Sequence, residues 1–195
     1  IGHVELVRMK VKPDSPLISH IDEISRAADR ASKLTRQLLT FSRRQVVIPR
    51  VLHLNVVVEE SRKLLSRLIQ ENIEIKTELN SRGSRVKVDV GQVEQILVNL
   101  AINAQDAMLT GGELVISTQE VEVKSARRFM EMEMAPGRYV MLSVTDNGTG
   151  MPREVLEHLF EPFFTTKEPG KGTGLGLATV YGIVKQLAGG IEVES

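Results

Sequence analysis

The chain has no cysteine. Disulfides and thiolate-bound metals are therefore excluded, and a reducing compartment is allowed. It has no net charge either, because 25 Lys and Arg balance 25 Asp and Glu. No overall field steers it to a polyanion or an anionic bilayer. Neither nucleic acid nor membrane contact is expected of this segment. No apolar run approaches a membrane span, and no secretory signal opens the chain. A soluble, cytoplasmic segment is expected, whether or not the parent protein is anchored elsewhere.

What is present is enough for a folded core. The chain has 195 residues, 42% of them hydrophobic, which suits one medium domain with a helical extension. The zero net charge hides an asymmetry. Residues 1–50 hold ten Lys/Arg and five Asp/Glu, whereas residues 51–195 hold fifteen and twenty. Two modules, residues 1–46 and 47–195, are expected.

The first module reads as helical. Residues 1–11 form a short apolar-periodic stub that begins without an N-cap residue. Ser15 can cap a second helix, with Pro16 at its first position. From there Leu17, Ile21, Ile24, Ala28, Ala31, Leu34, Leu38 and Phe41 recur at steps of three and four. That seam pairs helices. So small a hairpin cannot bury it alone, so a homodimer through these helices is expected, as a four-helix bundle. Cover by the second module is the alternative.

The second module alternates strands and helices. Strands are expected at 47–54, 73–79, 85–89, 114–123 and 139–144, with a loop at 130–137 and a last strand opening at 191. Helices are expected at 55–68, capped by Asn55, then at 92–108 and 175–187. Gly111-Gly112 and Gly189-Gly190 stop the last two. Mostly antiparallel strands with helices on one face give an α+β fold, a two-layer sandwich.

Four segments carry chemistry. In Asn99-Leu-Ala-Ile-Asn103-Ala-Gln-Asp106-Ala-Met108, Asn99 and Asn103 share a helix face. Their amide oxygens are hard donors that suit Mg²⁺, and Asp106 is in reach of the same shell or caps it. In Asp146-Asn-Gly148-Thr-Gly150, a buried carboxylate could accept from the exocyclic amine of adenine and so reject guanine. Gly148 and Gly150 would let a flat base approach the backbone. In Gly170-Lys-Gly172-Thr-Gly174-Leu-Gly176-Leu177, glycines feed a helix N-terminus, which favours phosphate. Both the P-loop and the dinucleotide-binding spacings fail there. Lys167 and Lys171 can add charge to a triphosphate. Phe160, Phe163 and Phe164 could anchor a closing loop. Taken singly, each has a plainer reading: a buried amide pair, a hairpin turn, a surface loop, an apolar plug. Taken together, in one order, each supplies part of one ligand.

With these four segments the chain resembles the ATP-binding domain of sensor histidine kinases, in the wider group that holds gyrase, Hsp90 and MutL. The matching boxes are N at 99–108, G1 at 146–150, F at 160–164 and G2 at 170–177. The resemblance covers residues 50–195. Residues 1–45 look like the dimerisation and phosphotransfer helices of the same kinases. The implied fold is a Bergerat-type sandwich after a helical hairpin. The implied ligands are ATP and Mg²⁺, and the implied partner is a response-regulator receiver domain. By resemblance Asn103 holds the metal, Asp146 holds adenine, and the segment between the F and G2 boxes is a lid. The expected nucleotide contacts are Asn103, Asp106, Asp146, Gly148, Gly150, Phe160, Lys167, Lys171, Gly172, Thr173, Gly174, Leu175 and Gly176, with Asn99 and Asn103 in the catalytic role.

Two departures sharpen the reading. ATPases of the group place a Glu four residues before the metal-binding Asn, where this chain has Asn99. An amide cannot take a proton from water near neutral pH, so transfer to a protein acceptor is favoured over hydrolysis by an ATP-driven clamp. The kinases also follow their acceptor His with an acidic residue. Here His3, His20, His53 and His158 precede Val4, Ile21, Leu54 and Leu159. No phospho-acceptor is expected among them, and the chain reads as a fragment truncated in its first helix and last strand.

Overall fold

The computed structural model describes residues 7, 11, 15, 17–25, 27–28, 47–81, 83–129, 132–168 and 172–195. They fall into two compact units, residues 1–45 with 167–171 and residues 46–166 with 172–195. In the first, residues 17–25 and 27–28 are helical. Ser15 opens this helix as expected, its Oγ accepting from the Leu17 N–H at 3.3 Å. Ile21 is buried, but Leu17 and Ile24 are exposed. The remainder of the seam (Ala31, Leu34, Leu38, Phe41), the stub at 1–6 and His3 lie outside the described residues.

The second unit is built around a mixed sheet. β1 (Arg50–His53) leads into α1 (Leu54–Leu68), followed by β2 (Ile73–Leu79), β3 (Arg85–Val88) and α2 (Val90–Ala107). Then come β4 (Gly112–Val123), β5 (Arg127–Phe129), β6 (Met132–Met134), β7 (Gly137–Asp146), α3 (Arg153–His158) and α4 (Gly176–Gln186). β4 is central, parallel to β2 and antiparallel to β7. β1 pairs with β3 and β5 with β6, both antiparallel. The parallel pair arises because residues 80–111, with α2 inside them, cross from one end of the sheet to the other.

Alternation on β4 sends Leu114, Ile116 and Thr118 inward. Leu114 and Ile116 meet Val57, Val58 and Leu65 of α1 and Val93, Leu97, Ala101 and Ala104 of α2. A second cluster joins Ile96 of α2 to Val180 and Ile183 of α4. Helix α2 therefore has apolar neighbours on three sides: sheet, α1 and α4. Leu65, Leu97, Leu114 and Ile116 are fully buried, each worth about 2 kcal/mol of transfer free energy. This α+β architecture agrees with the two-layer expectation.

Three local expectations are corrected. Asn55 does not cap α1; His53 occupies the N-cap position. The Asn55 Oδ1 instead accepts from the Ser81 and Thr118 hydroxyls, because two buried hydroxyls need an acceptor more than a solvated helix end does. Residues 130–137 are not simply a loop, since β6 lies within them and pairs with β5. Residues 191–195 alternate in sequence yet form no strand. The short helix α3 was not expected at all.

Candidate functional site

Helix α2 is the spine of the site. Asp89 caps it, its carboxylate accepting from the Gln92 N–H at 3.2 Å. Asn99 and Asn103 lie one turn apart on its half-buried face, while Asp106 is exposed. The N-terminus of α4 comes to this face. A Cβ on Gly176 would stand 3.8 Å from both the Asn99 and the Asn103 amide. Any larger side chain at 176 would fill the space before the two amides. No side chain caps α4, so its first N–H groups keep their capacity to bind an anion. Leu175 is buried, and its N–H reaches Thr173 Oγ1 at 3.4 Å.

The C-terminal end of α2 holds a second group. Asp146 ends β7, and its Oδ1 accepts from the Gly148 N–H at 2.9 Å. The Thr149 N–H donates to the Ala107 carbonyl at 3.1 Å. Gly148 has to be glycine, because a Cβ there would lie 2.7 Å from the Ala107 Cβ and 2.8 Å from its carbonyl oxygen. Gly150 has φ +68, a left-handed conformation open to glycine. Asp146 was expected to be buried and is exposed, since it lies at the end of an edge strand where the chain leaves the sheet.

The aromatic segment meets α4. Phe160 packs on Tyr181, ring centroids 5.3 Å apart. The Phe163 N–H donates to the Gly174 carbonyl at 2.9 Å. Both residues are left-handed, φ 70 and 64, and Phe163 is 69% exposed. Phe164 lies 5.6 Å from the His158 ring. His158 Nδ1 is 2.7 Å from Glu161 Oε1, and this hydrogen bond raises the imidazole pKa, with the Glu161 charge adding to it.

The structure thus brings Asn99, Asn103 and Gly176 together, and sets Asp146, Gly148 and Thr149 against the same helix. Gly172, Thr173 and Gly174 lead into α4 half-buried. Lys167 belongs to the first unit, and Lys171 lies outside the described residues. Ala107, Tyr181 and Asn147 were not among the expected site residues. Only Asn147 carried a signal, sitting between the acid and its glycine.

The chemistry of the donor set fits a purine nucleotide with a hard divalent cation. It offers neutral amide oxygens beside uncapped N–H groups along the C-terminal half of α2, and a carboxylate over a side-chain-free turn at the helix end one turn beyond. An α+β layer carrying such a set, with neither a P-loop nor a dinucleotide-binding turn, defines a distinct class of ATP-binding domain. The chain belongs to the histidine kinase-, DNA gyrase B- and HSP90-like ATPase family, whose model matches residues 88–195. It is 46% identical over 191 residues to the sensor kinase CckA of Brucella abortus, covering 98% of this chain and 20% of that one. It is 30% identical to the catalytic domain of histidine kinase ThkA, with a TM-score of 0.54 over 71% of this chain and 81% of that one. ThkA in complex with the response regulator protein TrrA matches at 25% identity and TM-score 0.57, over 85% of this chain and 45% of that one. The chain spans about a fifth of the length of the first curated relatives it matches. Among the described residues no helix is long and apolar enough to cross a membrane.

Proposed function

We propose that residues 47–195 form the ATP-binding catalytic core of a two-component sensor histidine kinase, and residues 1–46 part of its dimerisation and phosphotransfer helices. The observation that carries this is the approach of Gly176, at the uncapped start of α4, to Asn99 and Asn103. Asn103 would hold Mg²⁺, with Asn99 beside it, and the ion would neutralise charge on the triphosphate. The α4 N–H groups would bind phosphate oxygens, Asp146 would accept from the adenine amine, and Gly148 would admit the flat base. Glycines 172 and 174 let the backbone follow the phosphates closely.

Phosphoryl transfer asks for positioning and charge stabilisation more than for covalent help. Asn99 supplies no base for water, so the terminal phosphoryl group goes to a protein histidine other than the four here. It then passes to the receiver-domain aspartate of a response regulator, the class of protein found in complex with ThkA. Exposed Leu17 and Ile24 beside buried Ile21 support homodimerisation through the N-terminal helices. A cytoplasmic location follows from the need for ATP.

Calorimetry with Mg²⁺ and a non-hydrolysable ATP analogue tests the reading. Asp146→Ala and Asn103→Ala are each expected to weaken binding by at least tenfold, while the isolated chain forms no acid-labile phosphoprotein. Unchanged affinity in both variants, or phosphohistidine on any of the four His, overturns it. Sustained ATP hydrolysis that survives Asn99→Ala would move the chain to the clamp class.

A further inference from the structure

The β4–β7 ladder runs in antiparallel register from Val123↔Gly137 to Leu114↔Asp146. One step further, Glu113 would face Asn147. There the ladder changes character. The Glu113 N–H donates at 2.9 Å to the side-chain Oδ1 of Asn147, not to a main-chain carbonyl. The side chain takes the place of a rung. The Asn147 main chain is thereby free to leave the sheet, and the next residues turn over the end of α2 through Gly148 and Thr149.

The space around this rung is reserved for it. A Cβ on Gly112 would collide with Asn147 Oδ1 and with Met108 Sδ. The Gly112 N–H is itself held by the Asn72 carbonyl at 3.2 Å, so the β4 end cannot easily shift to make room. Residue 147 is thus gripped from below by β4, while its neighbour Gly148 is pressed on Ala107. Asp146 directly precedes the two gripped residues, its Oδ1 occupied by the Gly148 N–H. That leaves the other carboxylate oxygen with a fixed direction.

We infer that Asn147 is a positioning residue for nucleobase selection: its side-chain rung, seated over Gly112, aims the Asp146 carboxylate. This rests on the reading of Asp146 as the group that selects adenine. A lost rung would let Asp146 reorient, and an amine-accepting carboxylate discriminates only when it is held. The consequence falls on the choice between ATP and GTP, not on phosphate binding, which belongs to α4 and the two amides.

The test is calorimetric titration of the full 195-residue chain with Mg-ATP and Mg-GTP, with unfolding midpoints measured in parallel. Asn147→Ala is expected to lower the ATP-over-GTP preference at least tenfold, mostly through weaker ATP binding. Gly112→Ala, on a different strand, is expected to do the same. Asn147→Asp keeps an acceptor oxygen in place and is expected to restore most of the preference, which a merely structural role would not predict. Asn147→Ala with an unaltered preference overturns the inference, as does an equal loss of both nucleotides in both variants. Asp146→Ala separates the two levels. If it leaves the preference intact, the reading of the site fails; if it abolishes the preference while Asn147→Ala does not, the rung alone fails.

Discussion

At the Asp146 end of the site, bonds crowd together: Thr149 to Ala107, Gly148 to Asp146, Glu113 to the Asn147 side chain. At the α4 end the helix starts without a side-chain cap. Among the described residues, one main-chain bond, from Phe163 to Gly174, ties the preceding aromatic segment to the loop that leads into it. The first end spends its polar groups on itself. The second keeps N–H groups for something else. A flat base of fixed shape can be met by a preformed surface, whereas a triphosphate with its cation brings charge that unpaired N–H groups can still receive. The same helix, α2, holds both ends at a set spacing.

The largest effect should come from breaking the crowded end. Gly148→Ala places a methyl 2.7 Å from the Ala107 Cβ and 2.8 Å from both the Ala107 carbonyl oxygen and the Asp146 Oδ1. ATP affinity should fall about a hundredfold or more, equal to about 2.7 kcal/mol, in a protein that still unfolds cooperatively in urea. Wild-type affinity in that variant would show that the turn is not preformed.

Gly174→Ala attacks the sparse end. It strains a residue at φ +64 and drives a Cβ into the Phe163 backbone, costing about 1–3 kcal/mol. Triphosphate binding should weaken about tenfold while adenosine binding holds, a split that isothermal titration resolves. Equal weakening of both ligands would mean the ends are not independent.

Phe163→Gly should have a smaller effect and the opposite sign. It removes a left-handed conformation that costs a non-glycine residue about 1–2 kcal/mol, partly offset by glycine's greater freedom when unfolded. A slight rise in stability in urea melts is expected, because the exposed ring buries little.

The smallest effect concerns His158. Its folded pKa is raised by Glu161. The stabilisation it brings is complete below the usual histidine value of about 6.5 and is lost as pH rises through the raised value. Both groups are exposed, so the change should be slight. Proton NMR should show the imidazole titrating above 6.5, and returning toward it in Glu161→Gln. The neighbouring Phe164 ring shift should follow the same curve, with Asp146 resonances unmoved.

Much of this was legible in the residues. The apolar steps from Val93 to Ala104 announce α2 because one helix buries three faces. Gly148 was legible as a position without a side chain, and the fold leaves no room for one; the left-handed turns at Gly150 and Gly174 were not read from the sequence. The parallel pairing of β2 with β4 was not legible, since it depends on where a crossover lands and not on either strand. Asn55 misled because an asparagine before a helix usually caps it, and only the fold brings Ser81 and Thr118 to its amide. The role of Asn147 was not legible because its partner lies 34 positions away. Phe163 gave no hint of its backbone conformation, which the Gly174 carbonyl imposes.

The crossover has a kinetic side. β4 cannot settle beside β2 until α2 has been laid across the sheet, so closing residues 80–111 is an entropic toll on refolding. The helix that carries Asn99 and Asn103 therefore belongs to the chain's assembly route as well as to its ligand site, and substitutions on its apolar face should slow refolding in stopped-flow experiments as well as lower equilibrium stability.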